Sequence, residues 1–293
     1  VQPPSTIKSS GFAPLQGRKV LIFSDSRQTA ARLAPNLQKY ATRNALRALV
    51  VAGYRRLQEV SYLQPLLSLE DLYLAVLVAA AELGVRLRPP LKSHETFHFA
   101  STVEKKVMAG VFQQPSGILP LRDQARTQVP PESLLDGIFT SITDQYYGIE
   151  SLALGAIVEA PMHTENIKGL PEIGGVATTD GERLAFARVW LGCWQRTGFW
   201  LSRMPNAWAP DRVRTHASGN FDALRLLLTG KDDRRTFEKK WLPLLREWFT
   251  EPVGQQYRLH GQNLSLDLEG QWAYCQTCRA TQRPFPGRST CLR

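Results

Sequence analysis

Along this chain the apolar positions pass from a short unbroken run, to a four-residue step, to strict alternation, and each spacing predicts a different element. The run Val20-Leu-Ile-Phe23 suits a buried parallel strand. Ser24, Asp25 and Ser26 follow it, all good helix N-caps. Ala30, Ala34, Leu37 and Ala41 then share one side of a helix in which Pro35 predicts a kink or an early stop. Residues 1–17, rich in Pro, Ser and Gly, read as a linker.

Past residue 50 the four-residue step takes over. Ser68-Leu-Glu-Asp71 has capping-box spacing and predicts a helix through Ala81 that stops at Gly84. The proline-punctuated stretch 85–131 reads as irregular. Leu134, Ile138, Ile142 and Tyr146 predict a helix closed by Gly148, and 161–181 a glycine-rich loop. After Asp180 a long helix buries Leu184, Ala187, Leu191 and Trp194. Asn220 is expected to cap a short helix ending at Gly230, and the last helix carries Phe237, Trp241, Leu245 and Trp248, with Pro243 as a flaw. From residue 256 the period becomes two: Tyr257 and Leu259, then Leu264, Leu266 and Leu268, predict a β-hairpin across His260–Asn263. It leads through Trp272 and Tyr274 into Cys275.

The predicted fold is mixed α+β. An α/β strand–helix start occupies residues 1–58, a mainly α segment 59–254, and a small β unit 255–293. Hydrophobic residues make up 43% of the chain, enough for a sizeable core. The longest apolar run, Leu72 to Ala81, is too short to span a bilayer, so a soluble protein without a membrane partner is expected. Four cysteines exclude a disulfide scaffold and point to metal binding in a reducing compartment, hence a cytoplasmic location.

The net charge of +10 is unevenly placed. Residues 1–58 hold ten Lys/Arg and one acid, Asp25, while 270–293 hold four Arg and no acid. The remaining 22 basic and 25 acidic residues give 59–269 a net of −3. Two basic ends around a slightly acidic middle suit contact with a phosphate backbone.

Cys275 and Cys278 form a C-x2-C knuckle, and Cys291 opens what reads as a second one whose partner would follow Arg293. With Val1 in place of an initiator Met, this leads us to expect an internal piece of a longer protein. These three thiolates are expected to hold a structural zinc whose fourth ligand lies beyond the chain, in the manner of a truncated zinc ribbon. Cys193, beside Trp194, reads as a small core residue. A rival metal site is His94-Glu95-Thr-Phe-His98, which matches H-E-x-x-H and would make a zinc metalloprotease with Glu95 as base and Glu132 or Glu150 as third ligand. Pro89, Pro90 and Lys92 nearby argue against the apolar helix such a site needs.

The segment Lys19-Val-Leu-Ile-Phe-Ser-Asp-Ser-Arg-Gln-Thr-Ala-Ala31 resembles motif IV at the start of the second RecA-like domain of large DEAD/DEAH-box superfamily-two helicases. The closest subgroup contains the DISARM antiphage helicase and the MrfA-type repair helicase. There a similar string precedes a long helical insertion with a four-cysteine zinc site, the order found here. The resemblance is specific over residues 18–47 and architectural beyond. It implies an ATP-dependent nucleic-acid helicase or translocase, with Ser24, Asp25, Ser26, Arg27 and Gln28 touching the tracked strand. DNA ranks ahead of RNA, and the expected partners are the rest of the helicase chain and a defence or repair protein. A strand that delivers Ser24–Ser26 to a helix N-terminus would also favour a phosphate on physical grounds. The chain holds no G-x-x-x-x-G-K-[ST] loop or DExH box, so ATP and Mg would be bound by the rest of the protein and the piece alone is expected to be inactive. A non-enzymatic zinc-ribbon adaptor is the remaining reading.

Overall fold

Two helices that approach unusually closely organise the molecule. The computed structural model describes residues 27–85, 87, 101–128, 130–144, 146–197, 217–277 and 281–286. Helix α1, Arg27–Gln58, crosses Pro35 without ending. The Ala, Leu, Gln and Arg residues on both sides favour helix and carry it past the one hydrogen bond that proline cannot make. Helix α2, Leu72–Glu82, is apolar all round and buried from Leu72 to Ala80, as expected of a central helix. The two cross at Gly53, whose missing side chain leaves room for the Ala75 carbonyl. The expected capping box is present: Ser68 Oγ accepts from the Glu70 amide and the Asp71 carboxylate accepts from the Ser68 amide. Gly84 then closes the segment at φ +63°.

The stretch 85–131 is more ordered than its prolines suggest. Helix α3, Thr102–Met108, opens with a reciprocal Ser101–Glu104 capping box. Helix α4, Pro115–Thr127, starts on Pro115, where a missing N–H is harmless, and accommodates Pro120 in its interior. Helix α5, Glu132–Thr143, ends before Tyr146, which is 71% exposed and not part of the apolar stripe. Strand β1, Ala156–Glu159, follows, then helix α6, Thr164–Lys168, inside the expected loop. Helix α7, Asp180–Thr197, begins with another reciprocal cap in which Glu182 accepts from the Thr179 amide and Thr179 Oγ1 accepts from the Glu182 amide.

Asn220 does not cap a helix. A 3-10 turn spans Asp222–Leu226 with Phe221 before it, and Gly230 precedes helix α8, Lys231–Thr236, instead of closing one. A π turn, Phe237–Trp241, joins α8 to helix α9, Leu242–Phe249, widening the backbone just ahead of Pro243. Phe249, rather than Trp248, is the fully buried aromatic at its end.

The expected hairpin across His260–Asn263 is replaced by two separate pairings. Strand β2, Thr250–Val253, pairs with β3, Gln256–Leu259, through a tight turn with Gly254 at φ +61°. Strand β4, Leu264–Asp267, pairs antiparallel with β1, with Ile157 opposite Leu266. A 3-10 turn at Gly261–Asn263 carries the chain from one sheet to the other. Each of the two long-separated strands gains a partner that local alternation could not reveal. Strands β5, Ala273–Tyr274, and β6, Thr281–Gln282, form a last small hairpin.

One hydrophobic core runs from Leu46 to Phe285, so residues on both sides of the expected boundaries near 58 and 254 share it. Tyr54 on α1 illustrates the join: its hydroxyl lies 2.9 Å from Ser265 Oγ on β4. The architecture is mixed α and β with small antiparallel sheets. Among the described residues no helix is long and apolar enough to cross a membrane.

Candidate nucleic-acid interface and metal centre

Helix α1 begins at Arg27, so Arg27 and Gln28 lie in its first turn. The expected strand 20–23 and Ser24, Asp25 and Ser26 lie outside the described residues, as do Cys278, Cys291, His94, Glu95 and His98. Glu150, once a third-ligand candidate, uses its backbone carbonyl to accept from Thr281 Oγ1 at 3.0 Å.

The basic character of α1 becomes concrete in its second half. Arg43 and Arg47 stand one turn apart and face the end of α5. Arg43 Nη1 reaches Asp144 Oδ2 at 3.2 Å, and its guanidinium lies 4.7 Å above the Tyr147 ring. The other Asp144 oxygen, Oδ1, accepts from the amides of Tyr146 and Tyr147, both at 2.8 Å, which fixes the turn after α5. Arg47 is only 8% exposed, and its Nε and Nη2 have no hydrogen-bond partner among the described residues. Burial, and then the nearby charge of Arg43, lower the Arg47 pKa, against the opposing pull of Asp144. Asp144 is therefore hydrogen-bonded to Arg43 and acts on Arg47 through charge alone, and the two guanidinium groups lie beside two exposed tyrosines. The basic block was legible in the sequence; the pairing with Tyr147 was not, because Tyr146 was assigned to a core stripe. The signal available was Arg at i and i+4 together with a Tyr-Tyr pair just before the Gly148 stop.

The metal reading centres on the β5–β6 hairpin. Tyr274 pairs with Thr281, so Cys275 directly follows a strand. Thiolate donors of a C-x2-C pair suit zinc. The hairpin is anchored to the body. Thr281 Oγ1 donates to the carbonyls of Glu150 and Ser151, Arg283 pairs with Asp267 at 3.0 Å, and the Arg283 guanidinium packs 4.3 Å above Trp272. Among the described residues no group of three or more His, Cys, Asp or Glu is close enough to hold a metal. Cys193 is buried in the core, as expected.

A cavity of about 320 Å³ separates α7 from β1 and the segment after β6. Arg188 at its edge makes two hydrogen bonds to Glu159, at 2.9 and 2.7 Å. Burial would lower its pKa, but the Glu159 bonds and charge outweigh that and raise it. Arg283, on the opposite wall, is lowered by burial first, and Asp267 partly offsets this. Each guanidinium here already has a carboxylate, so the cavity has no surplus charge of the kind found at Arg47.

No protein-family model, curated protein or solved structure matches this chain.

Proposed function

We propose that this chain is part of an ATP-dependent nucleic-acid helicase or translocase, contributing strand contacts and a structural zinc site. The observation that carries the reading is the Lys19–Ala31 string, within which a long basic helix starts at Arg27, directly after Ser24, Asp25 and Ser26 in the sequence. The free N–H groups at such a helix start favour a phosphate, and Arg27 and Gln28 add charge-assisted contacts. ATP and Mg are bound elsewhere in the protein, which supplies the phosphate loop. The helical middle and the knuckle guide the substrate or recruit a partner.

Replacing Arg27 by alanine in the full-length protein is expected to weaken single-strand binding and nucleic-acid-stimulated ATP hydrolysis. Loss of one phosphate contact should also reduce the salt dependence of binding by about 0.7 in log–log slope. An unchanged slope with unchanged stimulation removes Ser24–Gln28 from the binding surface.

The zinc component has its own test. Metal analysis of the full-length protein should find one tightly bound zinc per chain, lost when Cys275 and Cys278 are both replaced by serine, because a knuckle without its thiolates cannot close a tetrahedral site. Retention of stoichiometric zinc in that double variant would show that the cysteines are not the ligands.

A further inference from the structure

We infer that Arg43, Arg47, Tyr146 and Tyr147 form a second contact site for single-stranded nucleic acid, separate from the proposed contact at Ser24–Gln28. Arg43 lies sixteen positions beyond Arg27 on the same helix, about 24 Å away at the α-helical rise. The two contacts would engage different stretches of one strand. The inference rests on the proposed function only in taking nucleic acid as the partner; it needs neither ATP nor the remainder of a helicase.

Among the described residues, Asp144 is the carboxylate bonded to this pair of arginines. Both oxygens of Asp144 are committed, Oδ2 to Arg43 and Oδ1 to two backbone amides. Arg47, buried beneath, brings a second guanidinium with two unmet donors. A buried charge without a hydrogen-bonded partner is costly, and an oxyanion arriving at Arg43, one turn away on the same helix, offsets it. Arg47 acts as a fixed positive charge under the site, and Arg43 is the group that meets the phosphate.

The aromatic half of the site selects the kind of phosphate. Tyr146 is 71% and Tyr147 51% exposed, although large aromatic rings usually find cover. Arg43 lies against one face of Tyr147. Adjacent oxyanion and planar-ring contacts match the alternating phosphate and base of a single strand. A duplex keeps its base faces stacked inside. An acidic peptide would meet the arginines but leave the rings without a planar partner.

The test is titration of a fluorescent oligothymidylate with this chain, alongside thermal melting of each variant. Arg47→Met is expected to lower affinity about tenfold and flatten the salt dependence. Its melting temperature should hold or rise, because methionine fills the space without an unpaired buried charge. The Tyr146→Ala/Tyr147→Ala double variant is expected to lose about tenfold in affinity with an unchanged salt slope, since it removes stacking and no charge. Both tyrosines are exposed, so this variant reports on the site even if Arg47→Met fails to fold. A duplex of the same length should bind more weakly than the single strand. Wild-type affinity in the tyrosine variant, failure of the unaltered chain to bind the oligonucleotide, or equal competition by a poly-glutamate peptide each overturns the inference. The helicase reading fails on a different measurement, the response of stimulated ATP hydrolysis to Arg27→Ala, so either conclusion can fall while the other stands.

Discussion

Asp71→Ala is expected to reduce the free energy of unfolding by about 3–5 kcal/mol, the cost of leaving buried cations without their anion. Asp71 is 1% exposed and accepts four hydrogen bonds from three residues. Its Oδ1 accepts from Arg122 Nε at 3.0 Å and Arg126 Nε at 2.7 Å, and its Oδ2 from Arg126 Nη2 and the Ser68 amide at 2.7 and 2.9 Å. Arg122 also donates to the Leu66 carbonyl, and Arg126 to Ser68 Oγ. This single carboxylate ties the start of α2 to one face of α4. Alanine there leaves the buried Arg122 and an amide without their acceptor, and Arg126 with Glu70 at 3.6 Å as its remaining carboxylate. Asp71→Asn should cost less than alanine, since one acceptor oxygen survives, yet its NH2 must face a donor. Urea unfolding measures both: a fall in midpoint at constant slope is expected. A loss below about 1 kcal/mol for alanine would place the cluster among solvent-screened surface pairs.

Half of that cluster was legible in the sequence. Ser68 and Asp71 sit at capping-box spacing, which is a local signal. Arg122 and Arg126 lie in a stretch whose prolines masked its helix, and nothing local says that they return to Asp71. The same division holds elsewhere. Stripes such as Leu184, Ala187, Leu191 and Trp194 were readable because a helix repeats its environment every turn. Strand partners were not: Leu264 to Leu268 alternate as a strand should, but the choice of β1 over β3 is made by residues a hundred positions away. For the candidate site, the basic block of α1 could be counted from the sequence alone. Its focus at Arg43, Arg47 and Tyr147 depends on where α5 ends, a boundary that Tyr146 at the right spacing obscured. The knuckle was located from cysteine spacing, and of its cysteines only Cys275, directly after β5, falls among the described residues.

Gly53→Ala should destabilise the protein by about 3 kcal/mol, against the sign that helix propensity gives. In an isolated helix the change would gain about 1 kcal/mol, because alanine is the better helix former. At this position the new Cβ would lie 1.8 Å from the Ala75 carbonyl oxygen and 2.4 Å from its carbon. Both are backbone atoms of α2, so no side chain can rotate away. The two helices must separate, and separation loosens the contacts of Leu49, Val50 and Leu57, which are all buried at this crossing. Residues Arg43 and Arg47 ride on the same helix, yet they face α5 rather than α2. A modest shift at Gly53 should therefore lower the melting temperature more than it lowers oligonucleotide affinity. If Gly53→Ala instead raises the melting temperature, α1 and α2 do not pack at this distance, and the close crossing that sets the position of α1 is wrong.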